Sequence, residues 1–222
     1  ENIGIKIFEK STVISYNYKK DIHVKTKNGS VSCEKLVFAI NAWTPNFLPF
    51  LSRSAVLVSS DMIISEPIKY QLQSLGLNNG LVILDSNLFT HYSRTTPDGK
   101  IILGKGGNTF SFRNKVIDSF DGPSTIEKLL KKSLLSFYPS LKDAKITTSW
   151  NGPSERTKTG FPFFGYHPKN KNISYAFGYS GNGVLTCHVG GEILSSMTLD
   201  ENNKWTDSNF CKGPLKNFPP EP

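Results

Sequence analysis

The chain has 222 residues, 37% of them hydrophobic, and a formal net charge of +8. That length suits one large domain or two small ones, and the apolar share is enough to bury a core. No apolar run approaches the ~20 residues of a membrane span, and the start lacks the basic, apolar and small-residue regions of a signal peptide, so a cytoplasmic protein without a membrane partner is expected.

The first 40 residues read as strands without helices, at 3–8 (IGIKIF), 12–18, 22–26 and 35–40, with a turn at Lys27-Asn28-Gly29. Asn41 is placed to cap a short helix that Pro49 helps to end. Strand patterns return at 55–66, 81–84, 88–95 and 100–103, the last two joined by the turn Thr96-Pro97-Asp98-Gly99. Residues 124–137 predict a helix, with Ser124 and Glu127 spaced as a capping box and Ile126, Leu129, Leu130 and Leu134 on one face. Strands at 145–150 and 173–177 flank a Gly/Pro-rich loop, 183–199 forms the last helix, and the polar tail after Asp200 is expected to lie along a surface.

Cys33, Cys187 and Cys211 lie far apart and form no CxxC pair, which indicates neither a disulfide framework nor a zinc knuckle. The lysines occur singly or in pairs, without the dense basic run of a nucleic-acid surface, and their field would favour an anionic cofactor. His23, His91, His167 and His188 lack metal-ligand spacing, so no metal is expected.

The glycine-rich stretch Gly178-Tyr179-Ser180-Gly181-Asn182-Gly183 precedes the last helix, the layout of a loop that aims backbone amides at an anionic or electron-rich group. It begins like a dinucleotide fingerprint, but Thr186 stands where the third glycine belongs. It also brushes against the G-x-S-x-G elbow of hydrolases, yet the fifth position is Asn182 and only His188 follows Ser180. Tyr92 and Arg94, two apart on a strand, share a face and could clamp a carboxylate, or pair across strands for packing alone. Trp150, Phe161, Phe163, Phe164 and Tyr166 read either as core or as the wall of an apolar cavity.

In order, these segments resemble the FAD-dependent amine and amino-acid oxidoreductases related to D-amino-acid oxidase, glycine oxidase and γ-glutamylputrescine oxidase. Gly4–Glu9 with Val13 resembles the strand pair over the adenine half of FAD, and Glu34–Thr44 the VV-A-G-A-W passage between domains. Tyr92–Ile101 is similar to the hairpin Y-x-R-x-T-x-D-G-R-I, and Trp150-Asn151-Gly152 with Pro162–Gly165 to W-x-G and P-x-I-G. Gly178–Gly183 resembles the helix start that holds the flavin's pyrimidine edge.

The resemblance implies an α+β or α/β fold: part of a Rossmann-like FAD domain at 1–45 and 146–200, an antiparallel-sheet substrate domain at 46–145, and a tail at 201–222. It implies noncovalent FAD contacts from Val13, Ala39, Asn41, Ala42, Trp43, Gly152, Gly178, Tyr179, Ser180, Gly181, Asn182, Gly183 and Val184. Tyr92, Arg94, Trp150 and Phe163 would meet a small amine or amino-acid substrate. Ser154 stands where glycine oxidases carry a substrate-binding arginine, with Arg156 close by, a departure that counts against a small amino acid. Because the chain starts at Glu1 and contains no G-x-G-x-x-G strand, it reads as part of a longer protein, with a separate fragment as a partner supplying that half. The alternative is a truncated structural remnant that cannot hold FAD alone.

Overall fold

The computed structural model describes residues 3–112 and 115–220. In chain order its elements are β1 (Val13–Asn17), β2 (Ile22–Thr26), β3 (Ser30–Cys33), β4 (Leu36–Phe38), α1 (Thr44–Phe47), β5 (Ala55–Ser65), α2 (Lys69–Ser74), β6 (Val82–Leu84), β7 (His91–Thr95) and β8 (Ile101–Phe110). There follow α3 (Glu127–Phe137), β9 (Ile146–Thr157), β10 (Phe163–His167), β11 (Asn170–Phe177) and α4 (Gly183–Thr198). Two compact units result: unit 1 is Glu1–Ser54 with Thr157–Asn217, and unit 2 is Ala55–Arg156 with the segment from Phe218. The sequence suggests boundaries near 45 and 145; the second lies later because β9 continues through the Gly/Pro-rich stretch to Thr157. The residues just after Asp200 also belong to unit 1.

Unit 1 holds two small sheets. β1, β2 and β3 form an antiparallel meander. In the other sheet, ordered β10-β11-β4, β11 runs antiparallel to β10 and parallel to β4, pairing Ile173 with Leu36 and Tyr175 with Phe38. Residues Ile173 to Phe177 are all buried, as expected of a strand covered on both faces. Behind it, α4 packs Ile193 and Met197 on Phe164 and Ala176, while Trp205, Phe210 and Cys211 close the same cluster. The tail is thus partly core, since these apolar residues bring enough area to dock it.

Three local expectations change. Residues 3–8 form no strand: Ile3, Ile5 and Ile7 alternate correctly but, like Phe8, stay exposed, with no partner edge among the described residues. Asn41 is no cap; its backbone is left-handed at φ 46°, and α1 starts at Thr44 with Pro45 in its first turn. A strand, β3, also follows the 27–29 turn, where four small or short residues gave no apolar signal.

Unit 2 is a five-stranded sheet ordered β6-β7-β8-β5-β9. One face carries Ile63, Ile101 and Leu103 onto Leu130 and Leu134 of α3, together with Leu72 and Leu77. The 96–99 turn forms as expected, with Gly99 at φ 80°. The capping box does not. Ser124 Oγ accepts the Ile126 N–H (3.2 Å) and donates to Asp61 (2.7 Å), and Glu127 accepts from Ser149 (2.6 Å). Asp61 is fully buried and also accepts from Ser59 Oγ (2.6 Å) and Asn108 Nδ2 (3.3 Å), tying β5, β8 and the approach to α3 to one carboxylate. Replacing Asp61 with Ala strands these donors, so D61A is expected to destabilise unit 2 by about 3 kcal/mol, with D61N milder. Thermal unfolding followed by circular dichroism checks both.

Candidate functional site

In unit 1, the last buried residue of β11, Phe177, leads into a turn with three left-handed residues, Gly178 (φ 86°), Ser180 (φ 53°) and Gly181 (φ 90°). A side chain at Gly178 would put its Cβ 2.3 Å from Thr157 Cγ2 and 3.1 Å from the Phe163 ring, so only glycine fits. Ser180 Oγ accepts the Thr157 N–H (3.0 Å), bonds Thr157 Oγ1 (3.0 Å) and donates to the Gly178 carbonyl (3.2 Å). Those bonds commit the hydroxyl to holding the turn. The Asn182 N–H closes onto Tyr179 O (2.9 Å), and α4 then starts at Gly183 without a side-chain cap. Gly190 lets the helix close on Tyr179 and Phe164. The first turn of α4 therefore presents backbone N–H groups and the positive end of its dipole. Beside them stand Val184, fully exposed, and Leu185, 80% exposed.

Also in unit 1, a groove of about 1130 Å³ is walled by β1, β4 and the approach to α1, with Val13, Val37, Ala39, Asn41 and Trp43 in its lining. Among the described residues the buried Asn41 Oδ1 has no hydrogen-bond partner, an acceptor waiting for a donor. Ala42 lies behind this lining and is wholly buried.

In unit 2, the sheet face opposite α3 carries Ser60, Gly104 and Gly106 in its central strands, beside Met62, Ile64 and Ile102. Register sets Ser60 of β5 opposite Gly106 of β8, and Met62 opposite Gly104, itself opposite Tyr92 of β7. The Tyr92 ring lies over Gly104, where a Cβ would come within 2.2 Å of it, and Tyr92 Oη meets Ser60 Oγ at 2.8 Å. From β9 on the other flank, Arg156 reaches over Gly106, whose Cβ would stand 3.1 Å from Nη2. Its Nη1 donates to Ser154 Oγ (2.6 Å) and to the Glu155 carbonyl (2.8 Å). Half-burial holds the guanidinium's pKa below its usual value, against the opposing pull of Glu155 and Tyr92.

Arg94 sits two residues beyond Tyr92, exposed, beside a cleft lined by Gly80, Thr96 and Pro97. Trp150 is partly exposed on β9, where Gly152 also lies. Phe163 belongs to the core of unit 1, edge-on to Tyr175 and Phe177, and backs Gly178. The structure thus draws Tyr92 toward Ser60 and Arg156. Sequence reading passed over Ser60 and Met62 because cross-strand neighbours are distant in sequence. The Gly104-Lys105-Gly106 pattern inside a strand was the available signal of close side-chain approach.

His91 Nδ1 meets Asp85 Oδ2 at 2.7 Å, and Asp85 Oδ1 accepts the backbone N–H groups of Asn87 and His91. Among the described residues no helix is long and apolar enough to cross a membrane.

The comparisons with known proteins decide the family. Residues 1–197 match the model of the DAO family, FAD dependent oxidoreductase. The chain belongs to this family. It is 27% identical to the probable oxidoreductase OrdL of Haemophilus influenzae, over 91% of this chain and 45% of that protein. It is also 27% identical to the gamma-glutamylputrescine oxidoreductase of Escherichia coli (97% and 48%), and 24% to the glycine oxidase of Bacillus subtilis (91% and 52%). The chain thus spans about half the length of these relatives. Among solved structures, the glycine oxidase from Geobacillus kaustophilus aligns with TM-score 0.71 at 17% identity, covering 92% of this chain and 52% of that one. The L-proline dehydrogenase from P. horikoshii gives 0.72 at 20%, with 92% and 53% covered. At these identities the match establishes the DAO fold.

Two outcomes follow from the site's geometry. Ser180→Ala removes the bonds to Thr157 that hold the left-handed turn, so the Thr157 amide is expected to exchange with solvent about tenfold faster in hydrogen-exchange NMR. Desolvation, the largest influence on Asp85, pushes its carboxyl up, but the hydrogen bonds from His91, Asn87 and their backbone outweigh it and lower the pKa from 3.8 to about 2. The stability this carboxylate contributes is complete above about pH 4 and lost as pH falls through about 2. NMR titration of the Asn87 and His91 amides is expected to show that low midpoint.

Proposed function

We propose that this chain forms the flavin-capping and substrate-facing half of an FAD-dependent oxidoreductase that oxidises a C–N bond of an amine or amino acid. The observation that carries the reading is the uncapped start of α4 behind the pinned Gly178–Asn182 turn. FAD held noncovalently in unit 1 would supply hydride acceptance from the carbon bearing the amine, leaving an imine for hydrolysis. The Gly183 and Val184 amides at the helix start would stabilise negative charge on the ring's carbonyl edge. Asn41 Oδ1, with no partner among the described residues, fits a ring or ribose donor, and Val13, Ala39 and Trp43 supply apolar lining with Ala42 buried behind them. Tyr179 braces α4 through Gly190. Gly152, on β9, keeps its strand open for close approach. On unit 2, Tyr92, Arg94 and Trp150 would contact substrate, while Phe163 of unit 1 is buried and, instead of meeting substrate, supports the Gly178 turn from behind. The relatives named above act on glycine and gamma-glutamylputrescine, which suggests a small amine or amino acid here. A cytoplasmic setting fits these substrates.

One set of observations supports a companion polypeptide. Ile3, Ile5, Ile7 and Phe8 are exposed, and β4 ends its sheet with Val37 partly exposed. A segment supplying the rest of the Rossmann-like sheet would pair with that edge. The alternative, a structural remnant that does not hold FAD by itself, rests on the same exposure.

Purified chain titrated with FAD is expected to quench flavin fluorescence saturably and turn yellow, and Gly178→Val is expected to weaken binding at least about tenfold. A colourless sample indifferent to FAD, alone and after a front-half polypeptide of a relative is added, would sink the proposal.

A further inference from the structure

The sheet of unit 2 has two edges, and they are built differently. β9, at one end, carries Pro153, Glu155 and Arg156, and prolines and charges on an edge strand discourage a further strand from pairing there. β6, at the other end, has no such guard. Leu81, Val82, Ile83 and Leu84 follow one another along it and all four are exposed, with Leu88 just beyond at 93%. From Leu77 to Phe89 the single charged residue is Asp85, and its carboxylate is turned back onto His91 and the N–H groups of Asn87 and His91. Exposed apolar residues are ordinary when scattered; a run of them along an open strand edge is not.

Register shows which backbone groups of that edge are free. The Asp85 N–H donates to the His91 carbonyl (3.0 Å), and hydrogen-bonded pairs recur at every second residue of an antiparallel ladder, so Ile83, opposite Ser93, also turns its N–H and C=O toward β7. Val82 and Leu84, on either side of it, turn theirs outward. That spacing is self-complementary. Placed antiparallel about a twofold axis through Ile83, a second copy sets its Leu84 opposite Val82 and its Val82 opposite Leu84, and each pair exchanges both N–H to C=O bonds. The two Ile83 side chains meet at the axis on the sheet face that carries Ser93 toward Tyr138, and Val82 and Leu84 cover one another on the other face.

We propose that β6 is a self-association edge, where this chain pairs with a second copy of itself and joins the two unit 2 sheets into one. The exposed surface amounts to roughly three whole aliphatic side chains per copy, which suits an interface at the small end of the usual range and a reversible dimer with a micromolar dissociation constant. The pairing residues all belong to unit 2, and nothing in the pairing requires flavin.

The test uses the full chain in sedimentation equilibrium from about 1 to 100 μM, with cross-linking as a check on register. Expected is a reversible rise toward twice the monomer mass. Ile83→Lys sets two ammonium groups against each other at the axis and is expected to weaken the dimer at least about tenfold, while Leu129→Lys, the same change of chemistry on exposed α3, leaves it unchanged. For cross-linking, single substitutions are made in a Cys187→Ser background, which removes the exposed native thiol, and diamide oxidises two thiols to a disulfide while being reduced to its hydrazine. Ile83→Cys is expected to give a disulfide dimer, because opposed residues that share no hydrogen bond stand about 4.5 Å apart at Cα. Val82→Cys is not, because its counterpart lies diagonally, about 7–8 Å away. Circular dichroism reports whether each variant is folded, and should I83K fail to fold, the I83C and V82C comparison still decides. A chain monomeric at every concentration, a dimer that I83K leaves intact, or equal cross-linking at positions 82 and 83 would each overturn the proposal. So would a dimer that the front half of a relative dissolves while protecting the Val82 and Leu84 amides from exchange, since that polypeptide would then be the occupant of the edge.

Discussion

The hydrogen bonds between Ser180 Oγ and Thr157 are the contact on which the turn between β11 and α4 depends. A turn holding residues at φ 86°, 53° and 90° is costly for the chain to keep, because a non-glycine in the left-handed region is strained. Ser180 meets that cost with three hydrogen bonds, and Phe163 and Thr157 leave space at Gly178 for hydrogen only. The consequence is directional. β11 enters the turn as a buried strand, and α4 leaves it with its amide-bearing end free, docked by Ile193 and Met197 to the very sheet that launched it. A helix dipole acts over about one turn, so such fixing decides whether it acts at all.

Unit 2 applies the same economy of space to a different purpose. Glycines at 104 and 106 sit in the middle of β8, where their flexibility weakens a strand. They are tolerated because Ile101 and Leu103, of opposite parity, bury fully against α3, and because Asp61 gathers donors from three segments beneath the sheet. The packing against α3 lies on one face, and the other carries Gly104 and Gly106 beside Met62, Tyr92 and Arg156.

Much of this was legible in the sequence wherever the signal was local. The 96–99 turn fixed the β7–β8 hairpin, and the apolar spacing of Leu130 and Leu134 gave α3 its buried face. The glycine run before α4 pointed to the amide-presenting turn. Signals failed where partners were distant or missing. Gly152, Pro153 and Pro162 disguised the end of β9 and the approach to β10 as loop, although β9 gains its pairing from β5, almost a hundred residues earlier. Residues 3–8 have the alternation of a strand, but alternation shows only which side would be buried and cannot provide a neighbour. The Tyr92–Ser60 bond spans 32 positions and depends on register, which no single strand reveals.

The choice of arginine at 156 can be argued from hydration. A lysine ammonium in the same half-buried place would lose more water, and with one compact charge it could not bond Ser154 while turning a second nitrogen over Gly106. A guanidinium spreads its charge over three nitrogens, so Ser154 Oγ and the Glu155 carbonyl can hold one side of the fork while the other stays available. The lowered pKa is the trace of that arrangement, since fixing a cation among neutral acceptors never replaces the water it has given up.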